Sequence, residues 1–281
     1  MERGIDHHCR NICWLRAASA RPHSPRRGSV LVGNARGEKP VAARMNAALA
    51  LTDVDVSRDG RPIVHEVTAS ILPGSWFGVI GANGSGKTTL LRAIAGRLPI
   101  VRGTCTIFGQ DCSDDRGARA KVIGFAPPIE HLPASLRVRQ LLELAGDPLE
   151  LQQERNGDLW DALGITKMLD VRAGQCSSGM RQRTALALAF AMPCEVVILD
   201  EPFNWLDPVA AFDIRAVLGR AVEKGVTLIT ALHDLTTLCG YCDSGFVMAK
   251  GRISLELDTA MLRAGRNDAA KFESELVGAL R

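Results

Sequence analysis

The 281-residue chain lacks any uninterrupted apolar run of the length that crosses a membrane, which is about eighteen residues. Its longest candidate, TALALAFAMP, is much shorter and ends at Pro193. A basic face is also missing after residue 45: residues 1–44 carry nine Lys and Arg against three Asp and Glu, which leaves 25 against 28 for residues 45–281. We therefore expect no nucleic-acid partner, and we expect any membrane role to come through another protein.

The eight cysteines lack the pattern of a disulfide framework or a zinc site. Cys239 and Cys242 form a lone CxxC pair without a second pair of metal ligands. The segment HHCRNIC near the N-terminus lacks a second ligand pair as well. The sequence shows no signal-peptide pattern, so we expect reduced thiols in a cytosol. With 46% hydrophobic and 23% charged residues, the composition is that of an ordinary globular protein with a sizeable core.

The first 44 residues show no hydrophobic periodicity. The stretch RPHSPRRGSVLVGNARGEKPVAAR is rich in Pro, Gly and Arg and has no amphipathic stripe. We expect a disordered leader at residues 1–44 and one folded domain at residues 45–281. Because patterned residues follow directly on Met45, we take Met45 as the candidate natural start.

The folded part begins with period-two alternation in ALALTDVDV and IVHEVTASI, which predicts an antiparallel pair of strands at an edge. A short buried strand, WFGVI, then leads into a Gly-rich loop and a helix, KTTLLRAIAGRL, that Pro99 is expected to stop. GTCTIFG predicts a hairpin-like piece, and KVIGF predicts a further strand.

Residues 136–192 are almost wholly helical in pattern, which predicts a helical insert at about residues 130–180. Strands VVILD, VTLITAL, GFVMAKG and RISLEL follow, with helices starting at Pro208 and Asp234 and a charged C-terminal helix, NDAAKFESELVGAL. Buried β-branched strands that alternate with helices favour a parallel sheet. We therefore predict an α/β fold with a mostly parallel sheet core, an antiparallel β edge subdomain and a helical insert.

A phosphate-binding loop is the strongest motif in the chain. The pattern G-x-x-x-x-G-K-[ST] is matched by Gly81, Ala82, Asn83, Gly84, Ser85, Gly86, Lys87 and Thr88, with Thr89 following. Its glycines let backbone N–H groups turn towards phosphates, Lys87 reaches the β- and γ-phosphates, and the Thr88 hydroxyl is a ligand for Mg²⁺. The motif predicts binding of a nucleoside triphosphate.

Two adjacent carboxylates, Asp200 and Glu201, end the buried strand VVILD at the edge where open parallel sheets place their sites. We expect Asp200 to hold the Mg²⁺ shell and Glu201 to orient or deprotonate the attacking water. An isolated pair of this kind is also typical of a solvated acidic turn, but the upstream phosphate loop favours the catalytic interpretation.

The chain resembles the ATP-binding cassette (ABC) family over nearly all of residues 48–255. GANGSGKTT is similar to the Walker A loop, VVILDEP to the Walker B strand, NWLDP with Asp207 to the D-loop, and His233 in TALHDL to the switch histidine. CSSGMRQR aligns with the family signature LSGGQ. The resemblance implies a P-loop NTPase fold, ATP and Mg²⁺ as cofactors, and catalytic roles for Lys87, Glu201 and His233.

The resemblance also implies a head-to-tail dimer with a second cassette, identical or different. In such a dimer Ser177, Ser178 and Gly179 would complete the ATP site of the neighbour, with His233 bonding the γ-phosphate. A structural alternative is that Ser177 or Ser178 only caps the following helix.

As an ABC subunit, the chain would drive a separate transmembrane permease from the cytoplasmic, inner face of the cell membrane. The absence of a membrane span or an appended regulatory domain favours an exporter-type cassette. One alternative is a cassette that acts on ribosomes or chromosomes, but the chain has neither two cassettes nor long coiled coils. Another is a catalytically weak module for ATP-dependent dimerisation or regulation, paired with a better cassette.

Several positions depart from the family pattern. Cys176, Ser178 and Met180 replace Leu, Gly and Gln of the signature, while Pro128 stands where the family has the Q-loop glutamine. Proline has no side-chain ligand to offer. The adenine-stacking aromatic expected near VSRDGRP is absent, and Arg58 or Arg61 is the candidate replacement; we expect Trp76 to be a core residue instead.

Overall fold

The computed structural model describes residues 47–280, so the predicted leader at residues 1–44, the candidate start Met45 and the segment HHCRNIC lie outside the described residues. The described strands are β1 Leu49–Arg58, β2 Arg61–Ile71, β3 Trp76–Gly81, β4 Arg102–Ile107, β5 Gln110–Asp111, β6 Ile123–Phe125, β7 Val196–Asp200, β8 Thr227–Leu232, β9 Ser244–Ala249 and β10 Arg252–Leu257. The α-helices are α1 Lys87–Ile94, α2 Arg116–Val122, α3 Val138–Ala145, α4 Leu149–Leu163, α5 Ser178–Ala189, α6 Pro208–Glu223, α7 Leu235–Tyr241, α8 Thr259–Asn267 and α9 Ala269–Leu280.

A six-stranded sheet in the order β10-β9-β3-β8-β7-β6 forms the centre of the fold. All of its neighbouring strands run parallel except β10, which is antiparallel to β9. Strands β3 and β8 are buried at every residue, which agrees with their unbroken apolar sequences. Because β3, β7 and β8 are parallel neighbours, the carboxyl ends of these strands meet at one edge of the sheet, where the site lies.

A second sheet, in the order β2-β1-β4-β5, is antiparallel throughout. It extends the predicted edge pair, β1 with β2, by the two strands of the GTCTIFG region. The apolar face of this sheet packs over α1 and shares one core cluster with β3 and β7. The mixed architecture, with its parallel core and antiparallel edge sheet, confirms the predicted fold class.

Side-chain caps start several helices where the sequence places an Asp or Ser. The carboxylates of Asp207, Asp234 and Asp258 accept hydrogen bonds from the third residue beyond them at the starts of α6, α7 and α8. Ser177 does the same for α5, with its hydroxyl accepting from the Met180 N–H at 3.2 Å. The helical region between β6 and β7 consists of α3, α4 and α5 with short 3₁₀ turns between them.

Two predicted boundaries are wrong, and the predicted C-terminal helix has an unpredicted helix before it. The strand KVIGF begins only at Ile123, because Lys121 and Val122 end helix α2, which Asp115 caps. Helix α1 ends at Ile94, well before Pro99, since Gly96 turns the chain at φ 71°. The predicted C-terminal helix is the second of two, and Asp268 separates it from α8.

Helix α2 escaped sequence analysis because its central residue is a fully buried arginine, which breaks the apolar pattern. The Arg119 guanidinium donates to four backbone carbonyl groups, those of Ala93, Leu98, Cys112 and Ser113. These bonds join the end of α1 to the β5 region. Buried charge is tolerated here because hydrogen bonds satisfy it.

Within the part of the chain that the structure describes, no helix is long and apolar enough to cross a membrane.

Candidate functional site

The phosphate loop connects the end of β3 to the start of α1. Gly81 approaches its surroundings so closely that a Cβ would lie 2.4 Å from the Met248 carbonyl oxygen and 2.7 Å from the Ser85 hydroxyl. Gly86, at φ 105°, takes a left-handed conformation directly before α1. The loop and the adjacent Arg58, Ile63 and Glu201 line a cavity of about 320 Å³. Of the two stacking candidates, this cavity contacts Arg58.

Lys87 is the first residue of α1, and its side chain is buried. The Lys87 Nζ donates to the carbonyl oxygen of Gly81 at 2.7 Å and to that of Ala82 at 3.3 Å. Burial lowers the pKa of Lys87, while the charges of Glu201 and Asp200 oppose this shift. The amine is therefore held inside the loop by weak neutral acceptors, which an anionic phosphate would outcompete.

Asp200 ends β7 and lies beside Thr88. The two line a second cavity, of about 220 Å³, together with Arg92, Pro128, Glu201 and neighbouring residues. Burial raises the pKa of Asp200; the Thr88 side chain opposes the rise and Glu201 adds to it. The buried Oδ1 of Asp200 has no hydrogen-bond partner among residues 47–280. A buried carboxylate oxygen without a partner, next to a hydroxyl, fits the hard oxygen ligands that Mg²⁺ requires.

Glu201 follows Asp200 in a strained backbone conformation, at φ 51°. Its Oε1 contacts the Nε2 of His233. His233 is the residue directly after β8, the strand that pairs with β7. Its Oε2 accepts a hydrogen bond from the Asn204 Nδ2 at 2.7 Å. Thr88 and Glu201 are the two residues that line both the phosphate-loop cavity and the Asp200 cavity. Glu201 therefore lies where the two cavities meet.

The signature segment lies apart from the phosphate loop of its own chain. Ser177 and Ser178 are exposed, and with Gly179 they line neither of the two cavities. Gly179 abuts the D-loop, since a Cβ on it would lie 2.9 Å from the Trp205 carbonyl oxygen. Asp207 caps α6 and pairs with Arg183 at 3.2 Å; its bond from the Ala210 N–H is the largest cause of its lowered pKa.

The structure shows where the residues that depart from the family pattern lie. Cys176 is buried in the core that packs against the central sheet, so it fills an apolar position. Pro128 lines the Asp200 cavity, where the family has a glutamine side chain. Trp76 is buried, with its indole N–H bonded to the Thr230 hydroxyl at 2.9 Å, as expected for a core residue.

Three residues of the site were missed by sequence analysis. Asn204 holds Glu201, Arg92 lines the Asp200 cavity, and Gln182 of α5 donates to the Pro202 carbonyl oxygen at 3.0 Å. Asn204 follows Glu201 by three residues in a predicted loop, a spacing that is a usable signal for a turn contact. Gln182 and Arg92 lie on helices whose orientation only the tertiary structure supplies.

The CxxC pair contributes no reactive thiol to the site. Cys239 and Cys242 are both buried, and burial raises the pKa of each thiol.

The fold and the loop–carboxylate arrangement define a P-loop nucleotide-binding protein. The family model described as ABC transporter matches residues 64–204. Among similar proteins, the Fe(3+) ions import ATP-binding protein FbpC of Pseudomonas fluorescens is 36% identical over 73% of this chain and 60% of its own length. The Nod factor export ATP-binding protein I of Sinorhizobium fredii is 30% identical over 85% of this chain and 71% of its own length.

A solved structure, described as an ATP-binding subunit of an ABC transporter, superposes with a TM-score of 0.71 at 25% identity, covering 82% of this chain and 99% of that one. The chain belongs to the ABC transporter family, as an ATP-binding cassette of the kind that hydrolyses ATP. The similar proteins include both import and export components, so family membership leaves the direction of transport open.

Proposed function

We propose that this chain binds ATP with Mg²⁺ and hydrolyses it to drive a separate membrane permease. The observation that carries the proposal is the position of Glu201, which lines both the phosphate-loop cavity and the Asp200 cavity. A base at that junction faces water that approaches the γ-phosphate of a nucleotide held by the loop.

The proposed reaction is an in-line attack of water on the γ-phosphorus. The water oxygen forms a new bond to phosphorus while the bond from phosphorus to the bridging oxygen of ADP breaks, and the water proton passes to Glu201. Lys87 leaves the carbonyl groups of Gly81 and Ala82 and stabilises the phosphate charge, while His233 holds the Glu201 carboxylate. Thr88 and Asp200 would hold the Mg²⁺, which supplies charge neutralisation for the triphosphate.

We propose that the signature segment acts on a neighbouring cassette. Ser177 and Ser178 are exposed and lie outside both cavities of their own chain. The N-terminus of α5 is a suitable anion site, because its N–H groups and helix dipole favour negative charge. Two copies arranged head to tail, or this chain with a different cassette, would place this segment against the partner's ATP.

The permease would dock in a groove of about 640 Å³ between β6 and helices α3 and α5. Its lining combines apolar residues, among them the 75% exposed Leu144, with the cations Arg92, Arg97 and Lys121, and none of the described residues that line it is a carboxylate. An apolar permease segment that carries an acidic residue fits this lining. Arg92 and Pro128 line both this groove and the Asp200 cavity. A permease segment bound in the groove would therefore contact residues that also line the cavity beside Glu201. We propose residues 45–281 as the ATPase domain and the cytoplasmic face of the cell membrane as its place.

Hydrolysis is tested by steady-state turnover of the purified chain with Mg²⁺ and ATP. Glu201→Gln should lower kcat by at least about 100-fold while ATP still binds, because the base is lost and the phosphate loop is intact. Glu223→Gln makes the same substitution at an exposed position of α6. It is the matched control and should leave kcat unchanged. Equal kcat for Glu201→Gln and the wild type would refute the catalytic assignment.

Docking is tested by photocrosslinking from a reactive residue placed at Leu144 in membranes of the native host. The control carries the same residue at Leu72, which is also exposed, at 57%, but belongs to the antiparallel sheet region. The proposal predicts one polytopic membrane protein crosslinked from Leu144 and not from Leu72, and increased hydrolysis when that protein is reconstituted with the chain. Crosslinks of equal yield from both positions would contradict it.

A further inference from the structure

Both oxygens of the Glu201 carboxylate have a partner in this structure. His233, for which the family resemblance implies a bond to the γ-phosphate, contacts Oε1 here, and the partner of Oε2 is the side-chain amide of Asn204 at 2.7 Å. An amide N–H is a donor that neither gains nor loses a proton near neutral pH. It therefore holds the carboxylate without competing for the proton that Glu201 receives.

The turn after β7 places Asn204 against Glu201. Glu201 and Trp205 both have positive φ, at 51° and 66°, and the Asn204 N–H donates to the Glu201 carbonyl oxygen at 3.3 Å. The Glu201 N–H donates in turn to the Ala231 carbonyl oxygen of β8 at 3.2 Å. The backbone is thus fixed on both sides, and the Asn204 side chain folds back onto the residue three positions earlier.

We propose that Asn204 is a positioning residue for Glu201, an inference that rests on the proposed role of Glu201 as the base. The Glu201 side chain is 31% exposed, so without a partner on Oε2 it has room to adopt other rotamers. The amide restricts the carboxylate to the junction of the two cavities and directs Oε1 towards His233. The competing explanation is that Asn204 only closes the turn, in which case its loss would affect folding rather than turnover.

Two substitutions separate these explanations. Asn204→Ala removes the donor and should lower kcat about tenfold with the Kd for ATP unchanged within twofold, because the phosphate loop is untouched. Asn204→Asp keeps the shape but opposes Glu201 with a second carboxylate, so it should lower kcat further, by about 100-fold. Asn156→Ala is the matched control: its amide donates to the Phe190 carbonyl oxygen, away from the site, and its loss should leave kcat unchanged.

The decisive step repeats Asn204→Ala in a Glu201→Gln background, with single-turnover hydrolysis measured at excess protein. If Asn204 acts through Glu201, the second substitution should change the residual rate less than twofold. A further tenfold loss in that background, or a parallel fall of Tm, ATP affinity and kcat in Asn204→Ala alone, would overturn the inference. If Glu201→Gln itself retains full turnover, the proposed function fails; if it abolishes turnover while Asn204→Ala has no effect, only the present inference fails.

Discussion

Replacement of Asp200 by Asn should stabilise the nucleotide-free protein while weakening its response to Mg²⁺. The Oδ1 of Asp200 is buried and has no hydrogen-bond partner within residues 47–280, and burial raises the pKa of the carboxyl group above its ordinary value. A buried charge costs more than a buried neutral polar group, and Asn keeps the volume and the polarity of the side chain while removing the charge. We expect Asp200→Asn to gain about 1 kcal/mol, or about 2–4 °C in Tm for a domain of this size.

The pH dependence of this gain follows from the direction of the shift. Because the folded-state pKa of Asp200 is raised, the wild type carries the penalty at pH values above that pKa and loses it as pH falls through it. The Tm difference between variant and wild type should therefore be largest near neutral pH and shrink in acid. Thermal melts at several pH values measure it, and Asp213→Asn, at an exposed position of α6, is the control.

The stabilisation by nucleotide and Mg²⁺ should be smaller in Asp200→Asn than in the wild type, although the variant is more stable without ligand. A non-hydrolysable ATP analogue with Mg²⁺ at about 100 times its Kd stabilises the wild type by about 2.7 kcal/mol. Asp200→Asn should lose most of the part that depends on Mg²⁺. A variant that melts below the wild type without ligand, or that retains the full Mg²⁺ response, would refute the view of Asp200 as a destabilising buried carboxylate that serves as a metal ligand.

Further predictions concern the signature cap, the Q-loop position and the buried arginine. Ser177→Ala should lose about 1 kcal/mol of stability, because the bond from the Met180 N–H to the Ser177 hydroxyl is lost. Ser177→Asp should keep the cap and the Tm but impair ATP-dependent dimerisation, because its charge repels the phosphates. Equal dimerisation of the two variants would argue that Ser177 only caps the helix. Pro128→Gln, which adds an amide to the Asp200 cavity, should shift the Mg²⁺ dependence of turnover without changing ATP affinity, and a change in affinity alone would contradict this placement. Arg119→Met should cost about 3 kcal/mol in urea unfolding, since it leaves carbonyl groups without their donor, and a loss below about 1 kcal/mol would be inconsistent with that.

The motifs were predictable because spacing along the chain fixes their geometry. The phosphate loop needs only a strand, a Gly-rich turn and a helix, and all three are local features around Lys87. Asp200 follows four buried strand residues, so its place at the sheet edge was also set locally. The fold class followed from the alternation of buried strands and helices.

Contacts between elements that are distant in sequence were harder to predict from the sequence. Helix α2 was missed because Arg119 is buried by carbonyl partners from other segments, so its sequence gives no apolar stripe. The Asn204 contact depends on positive φ at two residues that are not glycine, which sequence propensities disfavour. Arg92 takes its importance from lining two cavities, and only the folded chain brings those cavities together.

Complementation between two defective variants tests most directly whether the exposed signature segment completes the ATP site of a neighbouring cassette. Both variants carry Glu201→Gln, so that bound ATP is retained and counted. Lys87→Ala disables the phosphate loop, and Ser177→Arg blocks the signature with a side chain too large to admit a phosphate. Each variant alone should occlude little ATP, because every site in its dimer has one defective half.

Mixing the two variants gives dimers in which one site holds both defects and the other combines an intact phosphate loop with an intact signature. If the signature segment completes the neighbour's ATP site, mixing should restore occlusion, towards one ATP per mixed dimer. A signature that acts only within its own chain, or that only caps α5, predicts no recovery. No recovery in mixed dimers whose formation is verified by crosslinking would contradict the claim for two copies of this chain.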